Sequence, residues 1–146
     1  MEGTWHDLLG TPCELHGKRV GPEGGLDCST LAEVVLERLG KKPPATSPYR
    51  LASSAGELDE MGSYFAYLEQ AYEKLGETVA CATERGDLVL ARCEEGIARH
   101  LYVCVEPERG TFLTTTHNVG VVALRGYAIK RVAGVYRLRV KPEEAL

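Results

Sequence analysis

No stretch of the 146-residue sequence approaches the ~18–20 consecutive apolar residues that a bilayer-crossing helix needs. The opening Met1-Glu2-Gly3-Thr4-Trp5-His6 has no basic start followed by an apolar segment. It does not read as a secretion signal, so synthesis in the cytoplasm is expected, with any exit by incorporation into an assembled particle. Basic charge is also scarce. With 17 Lys and Arg against 21 Asp and Glu, the net charge is −4, which argues against nucleic acid or membrane as a partner recruited by bulk charge. Heptads, internal repeats and basic arms are missing. The five cysteines (Cys13, Cys28, Cys81, Cys93 and Cys104) form an odd set with no tight pairing pattern, which excludes a disulfide framework and leaves free thiols. Cys13 and His16 stand at C-x-x-H spacing, but no second pair completes a tetrahedral zinc set, so no metal or other cofactor is expected. Cys81, Cys93 and Cys104 read as small apolar filler.

What is present fits an ordinary folded protein. The length suits one compact domain spanning 1–146, and 44% hydrophobic with 26% charged residues lies far from the composition of a disordered chain. Gly21-Pro22-Glu23-Gly24-Gly25 is a turn cluster. A helix follows, with Asp27 as N-cap, Leu26 and Leu31 as a hydrophobic staple, and an apolar stripe of Leu31, Val34, Val35 and Leu39. Gly40 closes it, Lys41 and Lys42 sit at its negative end, and Pro43-Pro44 forbid continuation. After a polar connection over 45–53, Ser54-Ala55-Gly56-Glu57 has the form of a capping box. Leu58, Met61, Phe65, Leu68, Tyr72 and Leu75 then step by three and four, predicting a second helix ended by Gly76.

From Gly86 the period changes to that of extended chain. Leu88–Ala91 is a short apolar run, and His100–Val105 sets His100, Tyr102 and Cys104 against Leu101, Val103 and Val105. Thr111–Thr116, Val119–Leu124 and Val132–Val140 are β-branched, apolar or alternating. Helices followed by a run of strands predict an α+β fold, with N-terminal helices packed on an antiparallel sheet.

Cys28 is the first candidate for chemistry. It falls one position after the N-cap, where unpaired backbone N–H groups and the positive end of the helix dipole favour a thiolate. A buried structural cysteine at a helix start is the bland alternative. A reactive thiol needs a base, and the base needs a third group to fix its tautomer. His100, opening a strand, is placed to serve as that base, although 72 intervening positions alone prove nothing.

Taken together, Leu9-Gly10-Thr11-Pro12, Gly17 and Gly25-Leu26-Asp27-Cys28-Ser29 resemble the nucleophile region of NlpC-type peptidases. These are papain-like cysteine peptidases of bacteria and phages that cleave cell wall. Gly86-Asp87-Leu88-Val89-Leu90 resembles the strand entering their active site, and His100-Leu101-Tyr102-Val103 their base-bearing strand. Phe112-Leu113-Thr114, Val119-Gly120-Val121 and Gly134-Val135-Tyr136-Arg137 look like the closing strands, and the short N-terminal segment is most similar to versions found among phage tail proteins. The resemblance covers nearly the whole chain except the second helix and its linker.

It implies a papain-like fold and hydrolysis of peptidoglycan stem-peptide amide bonds of the γ-D-glutamyl type. Cys28 would be the nucleophile, His100 the base, and the Cys28 backbone N–H an oxyanion donor. Tail proteins would be partners in a virion. The family's third polar residue, usually His and sometimes Asn, Gln or Asp, aligns with Thr114. His117 stands in reserve should a bulge turn it to the same face. Threonines also simply suit a strand. Cys13 takes the place of an upstream tyrosine that assists the oxyanion in the family. Two other readings follow from these departures: a structural tail component that has lost turnover, or a hydrolase or acyltransferase of the same fold with a substrate other than cell wall.

Overall fold

Asp27 starts the principal helix as its chemistry demands. In the computed structural model, which describes residues 5–14, 17–43, 71–92 and 98–139, the Asp27 side chain accepts from the Thr30 backbone N–H at 2.8 Å. The Thr30 hydroxyl oxygen accepts from the Asp27 backbone N–H at 2.9 Å, so each residue satisfies a donor of the other. Helix α1 runs Cys28–Arg38. Gly40 beyond it adopts φ +80°, the left-handed turn that ends helices. Its inner face buries Leu31, Val35 and Leu36 in one core cluster with Leu26, as the staple predicts. Each such side chain contributes about 1.5–3 kcal/mol on full burial.

Two short strands, β1 (Lys18–Arg19) and β2 (Gly25–Leu26), precede α1 and pair antiparallel. The Gly- and Pro-rich cluster is therefore the turn of a small hairpin whose return strand feeds the helix, an element that composition alone concealed. The main sheet contains β3 (Tyr72–Gly76), β4 (Leu88–Arg92), β5 (Ala98–Glu106), β6 (Thr111–Thr116), β7 (Gly120–Arg125) and β8 (Val132–Leu138). Its order is β3-β8-β4-β5-β6-β7, with every pairing antiparallel. Among the described residues the fold is thus mixed α and β: one complete helix on a six-stranded antiparallel sheet.

The second predicted helix meets a correction at its end. Tyr72 and Leu75 lie in β3, where Tyr72 pairs with Leu138 and Lys74 with Tyr136. Short apolar spacings fit either period, and pairing with β8 decides for the strand. Leu58, Met61, Phe65 and Leu68 lie outside the described residues, as do His16, Cys93 and Val140.

The sheet carries a core on each face. Leu88, Leu90, Leu101, Val103, Val105, Leu113 and Val121 pack with α1. Val89, Ala91, Cys104, Phe112 and Val135 fill the opposite cluster, with Tyr102 packed against it. Cys104 is fully buried filler, and burial pushes its thiol up to about 12. Cys81 departs from the filler expectation: it is half-buried in the 3-10 turn Val79–Cys81, its sulfur 3.7 Å from the Thr78 hydroxyl.

Two latches tie the periphery down. Asp87, fully buried at the head of β4, holds the Arg137 guanidinium of β8 at 2.8 and 2.7 Å and accepts the backbone N–H groups of Thr83 and Glu84. At the other end of the chain, Arg38 grips Asp7 at 2.6 and 2.9 Å. Gly10 N–H donates to Val121 O, and Val121 N–H donates to Thr11 O, both at 2.9 Å, so this segment covers part of the β7 edge. Gly120 permits it: with φ +85°, a side chain there would run into the Thr11 carbonyl. No helix among the described residues is long and apolar enough to cross a membrane.

Candidate active site

Cys28 is the first residue of α1, directly after the capping aspartate, and only 6% exposed. The backbone N–H groups of the first helical turn have no carbonyl one turn back, which makes this the anion-favouring end of the helix. Asp27 and Thr30 fix where the turn begins, so the capping box also fixes the origin of the thiol side chain. The thiol belongs to the core cluster that α1 forms with Leu101 and Val103 of β5.

His100 lies near the start of β5, opposite Ala91 of β4, and is half-buried. Its Nε2 is 2.9 Å from Thr114 Oγ1 on the neighbouring strand β6. Thr114, buried, donates its own hydroxyl proton to the Leu101 carbonyl at 2.8 Å. A hydroxyl has one proton to give. With that proton committed to Leu101, Thr114 accepts from His100, so Nε2 carries the hydrogen and Nδ1 is left as the basic nitrogen. The contact therefore selects a tautomer as well as a ring direction.

Tyr102, two residues along β5, lies on the same side of the strand as His100. Their rings meet edge to face, with centroids 4.9 Å apart and planes at 80°. Burial raises the Tyr102 hydroxyl above the usual phenol range, and the negative charge of a Cys28 thiolate raises it further. Tyr102 thus touches the imidazole and stands within the field of the sulfur. Alternation in His100–Val105 makes the shared side legible in the sequence, but the ring contact is not.

The remaining candidates divide cleanly. Asp27 is the N-cap that the sequence predicts. His117 lies in the exposed turn after β6, three residues beyond the threonine that bonds His100. Cys13 forms an isolated parallel bridge with Leu26 beside the start of α1. Burial pushes its thiol up against the opposing hydrogen bond of Thr115, and the Asp27 charge adds to the rise. Cys13 is therefore held as a neutral thiol near the helix start. Neighbouring threonines of β6 serve two partners: Thr114 reaches His100 and Thr115 reaches Cys13.

Among the described residues, no group of three or more His, Cys, Asp or Glu gathers in a way that could hold a metal ion. An open cleft of about 650 Å³, lined in part by Val79, Thr83, Arg109, Phe112, Arg125 and Tyr127, contains none of these site residues. It lies toward the β5–β6 turn, whereas His100 lies near the opposite end of β5. Compared with known proteins, the chain matches no family model and no curated sequence.

Proposed function

We propose that this protein is a cysteine peptidase or amidase of papain-like, NlpC-type architecture, acting on γ-D-glutamyl amide bonds of peptidoglycan stem peptides as part of a phage tail. The observation that carries the thiol-hydrolase reading is the Thr114–His100 hydrogen bond, whose proton direction leaves Nδ1 of the imidazole basic. The helix-terminal Cys28 and the charge coupling of Cys28 to Tyr102 support it. The wall substrate and the tail setting rest on the sequence resemblance.

In this mechanism the Cys28 proton passes to His100 Nδ1, and the thiolate sulfur bonds to the substrate carbonyl carbon. The carbonyl electron pair moves onto oxygen, facing the N–H groups at the start of α1. Collapse of the intermediate breaks the C–N bond, and the imidazolium returns its proton to the leaving amine. Water, deprotonated by the same imidazole, then cleaves the thioester. Thr114 keeps the ring aligned without contributing a charge, so the imidazolium is less stabilised here than beside a carboxylate.

The test is competitive alkylation followed by mass spectrometry. Iodoacetamide near neutral pH is expected to label Cys28 far faster than Cys13, Cys81 and Cys104, with Cys104 protected by its burial. Cys28→Ala should abolish cleavage of purified muropeptides while leaving the circular dichroism spectrum unchanged. Equal labelling of the cysteines would sink the thiol reading. A reactive Cys28 without muropeptide cleavage would instead favour a non-wall substrate.

A further inference from the structure

One hydrogen bond does not hold a planar ring. The Thr114 contact at Nε2 fixes the direction of one nitrogen but leaves the imidazole free to swing about that bond. We propose that Tyr102 is a positioning residue, whose aromatic ring sets the plane of the His100 imidazole and so aims Nδ1 at Cys28. This role rests on the thiol–imidazole reading above and assigns to it a residue that the catalytic steps do not use.

Three observations converge. The edge-to-face contact at 4.9 Å and 80° is the favoured geometry for two aromatic rings, and it resists rotation of either. Tyr102 is itself braced: it sits opposite Val89 in the β4–β5 ladder and packs against the cluster of Val89, Ala91 and Cys104. Its hydroxyl also lies within the field of Cys28, so the same side chain spans from the base to the nucleophile. The need for such a brace follows from Thr114. A charged third residue would orient the ring by electrostatics over a range of positions, whereas a neutral hydroxyl acts only at hydrogen-bond contact. Asp27 at the N-cap and the neutral Cys13 thiol are the other ionisable groups beside the start of α1, and neither replaces the ring contact.

The experiment is the pH profile of Cys28 alkylation by iodoacetamide in the intact chain, with Cys104 as the internal reporter of folding. In the native protein, pairing with imidazole should give an acid limb, with labelling persisting at pH ~6 where an unassisted thiol is almost wholly protonated. Tyr102→Phe, which keeps the ring, should stay within about threefold of native across the profile. Tyr102→Ala should lose about tenfold or more at pH ~6 yet match native labelling at pH ~9.5, where a thiol ionises unaided. Cys104 should stay protected in both variants. General unfolding would instead expose Cys104 and raise labelling at every pH.

A native-like acid limb in Tyr102→Ala overturns the proposal, and so does a Phe variant as damaged as the Ala variant, because the hydroxyl would then matter instead. If Tyr102→Ala exposes Cys104, Tyr102→Leu fills the space without an aromatic edge and decides by the same criteria. Absence of an acid limb in the native protein overturns the thiol–imidazole reading itself, and this role with it.

Discussion

The site turns on which way a single proton points. Thr114 gives its hydroxyl hydrogen to Leu101 O and takes one from His100 Nε2. Thr114→Val keeps the shape and the β-branch but removes both bonds, leaving a strand carbonyl and an imidazole N–H without this partner. A hydrogen bond to a group that becomes charged is worth about 1.5–3 kcal/mol. Thr114→Val should therefore lower kcat about 10- to 100-fold with little change in KM, whereas Thr114→Ser should stay within a few-fold. Steady-state cleavage of a defined muropeptide checks both. Equal loss in Ser and Val variants would locate the function of Thr114 in packing.

At the scale of elements, α1 and the strands differ in how plainly the sequence declares them. The start of α1 is legible because capping is local: Asp27, Leu26 and the following stripe lie within a few residues of one another. β4 to β8 are legible because alternation or continuous β-branched runs reveal them. β3 was hidden because Tyr72 and Leu75 continue the helical spacing of the residues before them, and only their pairing with β8 distinguishes strand from helix. The β1–β2 hairpin was hidden for another reason: two-residue strands carry too little pattern to register. Of the site, the type and order of Cys28, His100 and Thr114 were readable, while the Tyr102 ring contact is a matter of side-chain conformation.

The helix start carries a prediction of its own. Asp27→Ala removes the acceptor for Thr30 N–H, and the loss should cost about 1–2 kcal/mol in urea unfolding. Asp27→Asn, which retains an acceptor oxygen, should recover most of it. An unchanged midpoint for the Ala variant would mean that packing of α1, rather than its cap, sets the position of Cys28.

For the whole molecule, the Asp87–Arg137 pair joins parts that local pattern cannot connect. Asp87 is fully buried and the Arg137 side chain is 25% exposed, so their hydrogen bonds are shielded from solvent on one side only. They bind the head of β4 and the Thr83–Glu84 turn to β8. Arg137→Met keeps the aliphatic stem but leaves a buried carboxylate without its cation, a change that costs about 3–5 kcal/mol where a buried pair is broken. Urea midpoints should show this, and a combined Asp87→Asn, Arg137→Met variant should lose less than the sum of the two single changes. Strict additivity would mean that the two side chains act independently.

The latch of Gly10 and Thr11 on β7 bears on how the molecule is made. Its two partners are separated by nearly the whole chain, yet they are neighbours in space. A ribosome delivers the first segment long before Val121 emerges, so residues 10 and 11 wait without their partner while α1 and the earlier strands gather. Closure of the latch must therefore come late in synthesis, and with it the final seating of Pro12, whose carbonyl holds Leu26 at the entrance to α1. A nascent chain carries its thiol from the beginning, but the surroundings that would make that thiol useful are complete only near the end of translation.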